Sequence, residues 1–437
     1  MATLIRANQV ICLDAQDHIY QPGYLVVEGS QIVEVGPQSA LGSRRFDEEI
    51  DLPDHLVMPG LVNAHTHSPM VLFRGRAEGH SLFTFDGWYD TVRVIEEVMT
   101  PDMVPPAVAL SCAEMMRTGT TCFADQYFWM DRVVPEVRRS GMRAALAYGI
   151  VELGDAGARA RELAAADQFL ASVEQDDLIS GWVGPHAFFV DNSEAAMREE
   201  LALAEKYGTG FHIHLSTSGE EDRYCRQEYG RTAVQQLQEM GMLRQPIIAA
   251  HCLDVPAEDF STLAAHPFTA DVAASSCMRN AAGAAPLPAM LEAGINVAMG
   301  SDNVTNNNSY DMFKEMQITG KLFSFVEQTP NAIPTRTILD MATMGGARAL
   351  GLQEEIGSLE AGKQADLITL DLSEIGWAPA AQDTYTALVY GISGMHVRDV
   401  MVAGRWLLRD GEFRTLDYEK ERQELEIANQ ELADLLS

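Results

Sequence analysis

Between residues 58 and 357 the sequence alternates short apolar runs with longer segments of helical period. Strand-type runs fall at 61–64, 120–124, 143–150, 179–183, 210–213, 247–250, 268–273 and 295–299. Helix-length segments such as 104–117, 193–207 and 232–240 separate them. Eight strand–helix repeats over roughly 300 residues predict an α/β fold, a (β/α)₈ TIM barrel with insertions.

Both ends of the chain read differently. Runs at 9–13, 24–28 and 32–35, punctuated by Gly29-Ser30 and Gly36-Pro37, predict a small antiparallel sheet. The same texture returns at 365–370, 397–402 and 406–408. Neither end is long enough to close a core alone. The economical arrangement is one composite β-sandwich domain from residues 1–57 and 358–437, flanking a catalytic barrel at 58–357. Residues 418–436 predict an amphipathic helix with a solvated, charged face.

The length of 437 residues suits such a barrel plus an accessory domain. With 47% hydrophobic and 22% charged residues, a disordered or fibrous chain is excluded. No run approaches the roughly 18 apolar residues of a membrane span, and Arg6, Asn8 and Gln9 break any signal-like segment at the start. The expectation is a cytoplasmic protein without a membrane partner. A net charge of −32 repels phosphate backbones, which argues against nucleic acid and for a small-molecule partner. The six cysteines contain no C-x-x-C pair and read as reduced, buried thiols.

In a barrel of this type, chemistry sits at the carboxyl ends of the strands. Those ends carry His65-Thr66-His67, Pro185-His186, His212-Ile213-His214, His251 and Ser301-Asp302-Asn303. His18, His55, His80 and His266 fall in predicted loops or turns. Two residues apart on a strand, His65 and His67 project on one face. Such a pair can grip one divalent metal, with an imidazole and a carboxylate from other strands completing the site and leaving room for water.

The run Val57-Met58-Pro59-Gly60-Leu61-Val62-Asn63-Ala64-His65-Thr66-His67 resembles the strand-one signature of the amidohydrolase superfamily. The resemblance continues through Gly119-Thr120-Thr121, Gly184-Pro185-His186, Ala250-His251-Cys252, Gly300-Ser301-Asp302 and Asn306-Asn307-Asn308-Ser309-Tyr310-Asp311. It is strongest to the branch of methylthioadenosine/S-adenosylhomocysteine deaminases and triazine (atrazine-type) chlorohydrolases. It implies metal ligation by His65, His67, His214 and Asp302. Asp302 would also take the proton of the attacking water, and His251 would hydrogen-bond that water or the substrate. Glu96, His186, Trp88 and Thr217 would lie on the substrate side. Two-metal members bridge their ions with a lysine at the end of strand four. None of the five lysines here (206, 314, 321, 363 and 420) is near it, so one divalent ion is expected, Zn²⁺ by default and Fe²⁺ as the other option. A bound Zn²⁺ lowers the pKa of its water from 15.7 to about 7. The resulting hydroxide would displace an amino or chloro group from an N-heteroaromatic ring. Related barrels pair into homo-oligomers, and the same is expected here.

Three positions depart from the branch. Three residues after His214, where its deaminases place a proton-donating glutamate, stands Thr217, followed by Gly219-Glu220-Glu221. Such donors contribute roughly 10²–10⁴-fold. Tyr148 stands where homocysteine-binding relatives carry an arginine, and Ser276-Cys277-Met278-Arg279-Asn280 replaces the usual Ser-Asn-Leu-Lys-Leu. These departures favour substrates that need less ring protonation. They keep open a C–N hydrolase of ureas, amides or carbamates, and a catalytically silent metal-binding barrel.

Overall fold

The computed structural model describes residues 2–373 and 383–437. The chain enters through β1 (Ala2–Ile11), β2 (Ile19–Tyr20), β3 (Gly23–Glu28), β4 (Gln31–Pro37) and β5 (Glu48–Pro59). It then builds β6 (Leu61–Thr66), β7 (Thr120–Tyr127), β8 (Arg143–Ile150) and β9 (Ile179–Pro185). There follow β10 (Phe211–Leu215), β11 (Ile247–His251), β12 (Phe268–Val272) and β13 (Asn296–Met299). These eight strands, β6 to β13, pair in parallel and in sequence order, forming a nearly closed barrel. Side chains and backbone complete the ring between β13 and β6. Asn63 exchanges two hydrogen bonds with Ser301, at 2.7 and 2.9 Å, and the Asp302 N–H donates to the His65 carbonyl at 2.9 Å.

The terminal strands β14 (Leu367–Asp371), β15 (Val397–Val402), β16 (Arg405–Arg409) and β17 (Glu412–Phe413) join β1 to β5 in one nine-stranded sheet. The sheet is mixed, not antiparallel as the pattern predicts: β5 lies between β1, which it pairs in parallel, and β14. The connection over residues 38–47 carries the chain across β3 and β1, which is the crossover a parallel pair needs. Residues 48–55 were also silent as a strand, because Asp51, Pro53 and Asp54 interrupt any alternation. His55, expected in a loop, belongs to β5.

Two features lock sheet to barrel. Gly60 joins β5 to β6 where a Cβ would fall 2.1 Å from Thr121 Oγ1, so no side chain fits there. At the start of β8, buried Arg143 donates to both carboxylate oxygens of buried Asp366, just before β14, at 2.9 and 3.2 Å. The final helix, Tyr418–Leu435, buries Leu425, Ala428 and Leu432 against the barrel side of the molecule. Its charged face is not wholly solvated: Glu421 is buried and pairs with Arg139 at 2.8 Å. Among the described residues, no helix is long and apolar enough to cross a membrane.

Candidate active site

β6 ends in His65-Thr66-His67, and alternation turns Thr66 away from its neighbours. Its hydroxyl donates to the Ala124 carbonyl and to Asp125, whose carboxylate also accepts from the Ser68 N–H and hydroxyl. The strand exit is therefore pinned by Asp125, and the two imidazoles are left facing the barrel mouth. There they meet His214 from β10, His251 from β11 and Asp302 just after β13. Ligand atoms of His65, His67 and Asp302 lie within 4.8 Å of one another, as do those of His65, His214 and His251. His251 and Asp302 adopt left-handed backbone angles, φ 75° and 60°, which are uncommon for non-glycine residues.

Three of the four imidazoles are oriented through Nδ1. That of His67 hydrogen-bonds the Gln126 carbonyl at 2.7 Å, that of His214 the His186 carbonyl at 2.8 Å, and that of His65 the Nε2 of His212 at 2.7 Å. Such anchoring commits the opposite nitrogen to the site. The His65 Nε2 is buried and has no hydrogen-bond partner. It lies 3.5 Å from Asp302 Oδ1, and His67 Nε2 lies at the same distance from that oxygen. These gaps are too long for hydrogen bonds. They match the roughly 3.4 Å between two donors each about 2.1 Å from one tetrahedral ion. Nitrogen and oxygen donors around an unsatisfied buried atom fit a single divalent cation.

The electrostatics agree. Burial pushes His67 down to about 3 and His251 to about 4, and holds His212 and His214 well below the imidazole range. All four are thus neutral and have lone pairs to offer. Burial opposes ionisation of Asp302, but the neighbouring imidazoles of His65, His251 and His67 prevail and keep its carboxyl well below the usual range.

Around this cluster opens a cleft with a cavity volume of about 100 Å³ that brings together every residue predicted for the substrate side. Trp88 stacks on His186, with ring centroids 4.4 Å apart. His186 is bound through Nδ1 to Asp191; burial works against its protonation, but that carboxylate raises its pKa. Glu96 is buried and lifted to about 7 by desolvation, against the pull of Arg93. Thr217 lines the cleft, and so does Glu220. Glu221 does not: it folds back to accept the Ser216 N–H at 2.9 Å. Tyr148 also stays outside, its hydroxyl donating to Glu162 at 2.9 Å. Sequence reasoning missed Phe83, which packs on His251 at 4.2 Å, and the anchoring role of His212. Phe83 lies in an aperiodic segment that carries no signal. His212 was visible, as the partner of His214 in a second H-x-H.

The chain belongs to the amidohydrolase family, which it matches over residues 56–407. It is 36% identical over 437 residues, 99% of both chains, to the 5'-deoxyadenosine deaminase of Methanosarcina barkeri. It is also 32% identical over 427 residues to the 5-methylthioadenosine/S-adenosylhomocysteine deaminase of Bacillus cytotoxicus, covering 96% of this chain and 97% of that one. Among solved structures, an adenosine deaminase from Xanthomonas campestris with bound zinc superimposes with a TM-score of 0.93 at 30% identity, covering 99% and 98% of the two chains. Atrazine chlorohydrolase TrzN from Arthrobacter aurescens shares the fold, with a TM-score of 0.87 at 20% identity over 98% and 100%.

Proposed function

We propose that this chain hydrolytically removes the exocyclic amino group of an adenine nucleoside whose sugar substituent is uncharged. The observation that carries the reading is the convergence of His65, His67, His214 and Asp302 around the unsatisfied His65 Nε2 at the floor of an aromatic-walled cleft. Those four residues would hold one divalent ion. The zinc in the Xanthomonas campestris structure supports Zn²⁺. When bound, the ion lowers the pKa of water so that a nucleophile exists at neutral pH.

The chain's own groups do the rest. The Asp302 carboxylate accepts the proton that water loses. Neutral His251, with Nε2 4.0 Å from Asp302 Oδ2, orients that water against the ring. Glu220 delivers a proton to the ring nitrogen in place of the glutamate missing at Thr217. Among the cleft-lining carboxylates it is the one with no hydrogen bond or ion pair to the described protein, so it can turn to the substrate. Glu96 and His186 receive the sugar hydroxyls, and Trp88 gives the substrate a flat wall.

Charge limits the rest of the substrate. Glu96, Asp191, Glu220 and Asp302 line the cleft, and no described lysine or arginine does. Near the end of β8 the wall is Phe128, Gly149, Val151 and Val190. A substrate carboxylate would meet acids and aliphatic carbons, whereas an alkyl or thioether group would be buried favourably. We infer a reducing compartment, the cytoplasm; the six buried free cysteines support that reading.

The test is ammonia release by the zinc-loaded protein from adenosine, 5'-deoxyadenosine, methylthioadenosine and S-adenosylhomocysteine. Turnover of the neutral nucleosides at least tenfold above the last is expected. Chloride release from chlorotriazines, or cleavage of ureas, with no ammonia from any adenine nucleoside would overturn the proposal.

A further inference from the structure

Residues 74–100 run over the barrel mouth without regular strands and supply the cleft with Leu82, Phe83, Phe85, Trp88 and Glu96. What holds this cover in place is a side chain far away in sequence. The Leu82 N–H donates to Asn280 Oδ1 at 2.6 Å. Asn280 is 5% exposed, and its amide nitrogen donates to the Ser276 carbonyl at 2.9 Å and, more weakly, to the Ser276 hydroxyl at 3.3 Å. The Ser276 hydroxyl in turn donates to Asp302 Oδ2. A continuous hydrogen-bonded path thus runs from the backbone of the cover to a carboxylate of the site. The residues on either side reinforce it: Phe83 packs on His251, while Arg279 pairs with Glu78 in the cover and donates to the Asn306 carbonyl.

Only a short carboxamide satisfies both ends, because one atom must accept from Leu82 while the other donates to Ser276. Leucine, which stands here in the run that the resembling family carries, can do neither. We propose that Asn280 is a positioning residue that fastens the cover over the site, seating Phe83 on His251 and holding the Ser276–Asp302 contact in one geometry. The proposal takes Asp302 and His251 as the reacting groups from the function proposed above, but the cover's attachment can be measured without any substrate.

The experiment is amide hydrogen exchange over residues 78–90 in the zinc-loaded protein, with kinetics alongside. For Asn280→Leu, exchange at 82–84 should speed up at least tenfold, with the barrel strands unchanged. KM should rise about tenfold or more because the cover no longer closes, and kcat should fall as it does in Asn280→Asp because the donor to Ser276 is lost as well. Asn280→Asp keeps the acceptor for Leu82 and loses the donor to Ser276. It should therefore retain slow exchange at 82–84 and lose mainly kcat, and it carries the test if the leucine variant does not fold. Unchanged exchange at 82–84 in Asn280→Leu, or acceleration spread evenly over the barrel, would overturn the proposal, as would faster exchange at 82–84 in Asn280→Asp. A protein inactive on every nucleoside but showing the predicted exchange would refute the assigned activity and leave the fastening intact.

Discussion

His65 Nδ1 lies 2.7 Å from His212 Nε2, and this contact decides which nitrogen of His65 faces the site. His65 Nε2 has no protein partner, and with the proton on Nδ1, donated to His212 Nε2, it is left as a bare lone pair among the other donors. His212→Ala would remove the acceptor and free the ring. Outer partners of this type are worth roughly 10–100-fold in metal affinity. Competition with a chromogenic chelator should show zinc affinity falling by that factor, with activity largely recovered at saturating zinc. Unaltered affinity would show that packing alone orients His65.

Proton delivery from Glu220 makes a reciprocal pair of expectations. Glu220→Gln should lower kcat by roughly 10²–10⁴ with zinc content unchanged. Adding Thr217→Glu to that variant should recover at least tenfold, because it restores a carboxyl on the same wall of the cleft. Steady-state ammonia release measures both, and a full-rate Glu220→Gln enzyme would remove Glu220 from the chemistry.

Glu221 sets a pH dependence of stability. Burial raises its carboxyl to about 7 from an ordinary 4.5, so the native state retains a proton that the unfolded chain releases between those values. The folded state is favoured fully below about pH 4.5, and that advantage is lost as pH rises through 7. At 1.36 kcal/mol per unit the loss is at most about 3 kcal/mol. Glu221→Gln can still accept from the Ser216 N–H but does not titrate. Melting temperatures between pH 5 and 8 should fall less steeply for this variant than for the wild type.

The Arg143–Asp366 pair ties β8 to the terminal sheet, and both partners are almost fully buried. Arg143→Met would strand a buried carboxylate, a change that costs about 3–5 kcal/mol. Arg143→Met with Asp366→Asn should recover part of that loss. Denaturant unfolding of the single and double variants checks the coupling.

The barrel strands were legible because strands buried on both faces read as continuous apolar runs, and β8 matches its predicted span of 143–150 residue for residue. The site histidines were legible because they interrupt those runs at one end each. β5 was not, since a strand with one exposed half and a proline has no period to detect. Of the adjacent acids Glu220 and Glu221, local pattern could not say which would reach the cleft. The left-handed turn at Gly219 and the start of the helix Glu220–Tyr229 turn one outward to the cavity and the other onto Ser216.

By itself the sequence determined the repeat of strands and helices, the polar residues at their ends and, through H-x-H alternation, which of those share a face. These are consequences of local periodicity. Tertiary structure alone decided that Asn280 meets Leu82, that Phe83 covers His251 and that β5 runs parallel to β1. Each joins segments separated along the chain by irregular or crossing connections, where no periodicity links one position to the other and only the closed barrel brings them within bonding distance.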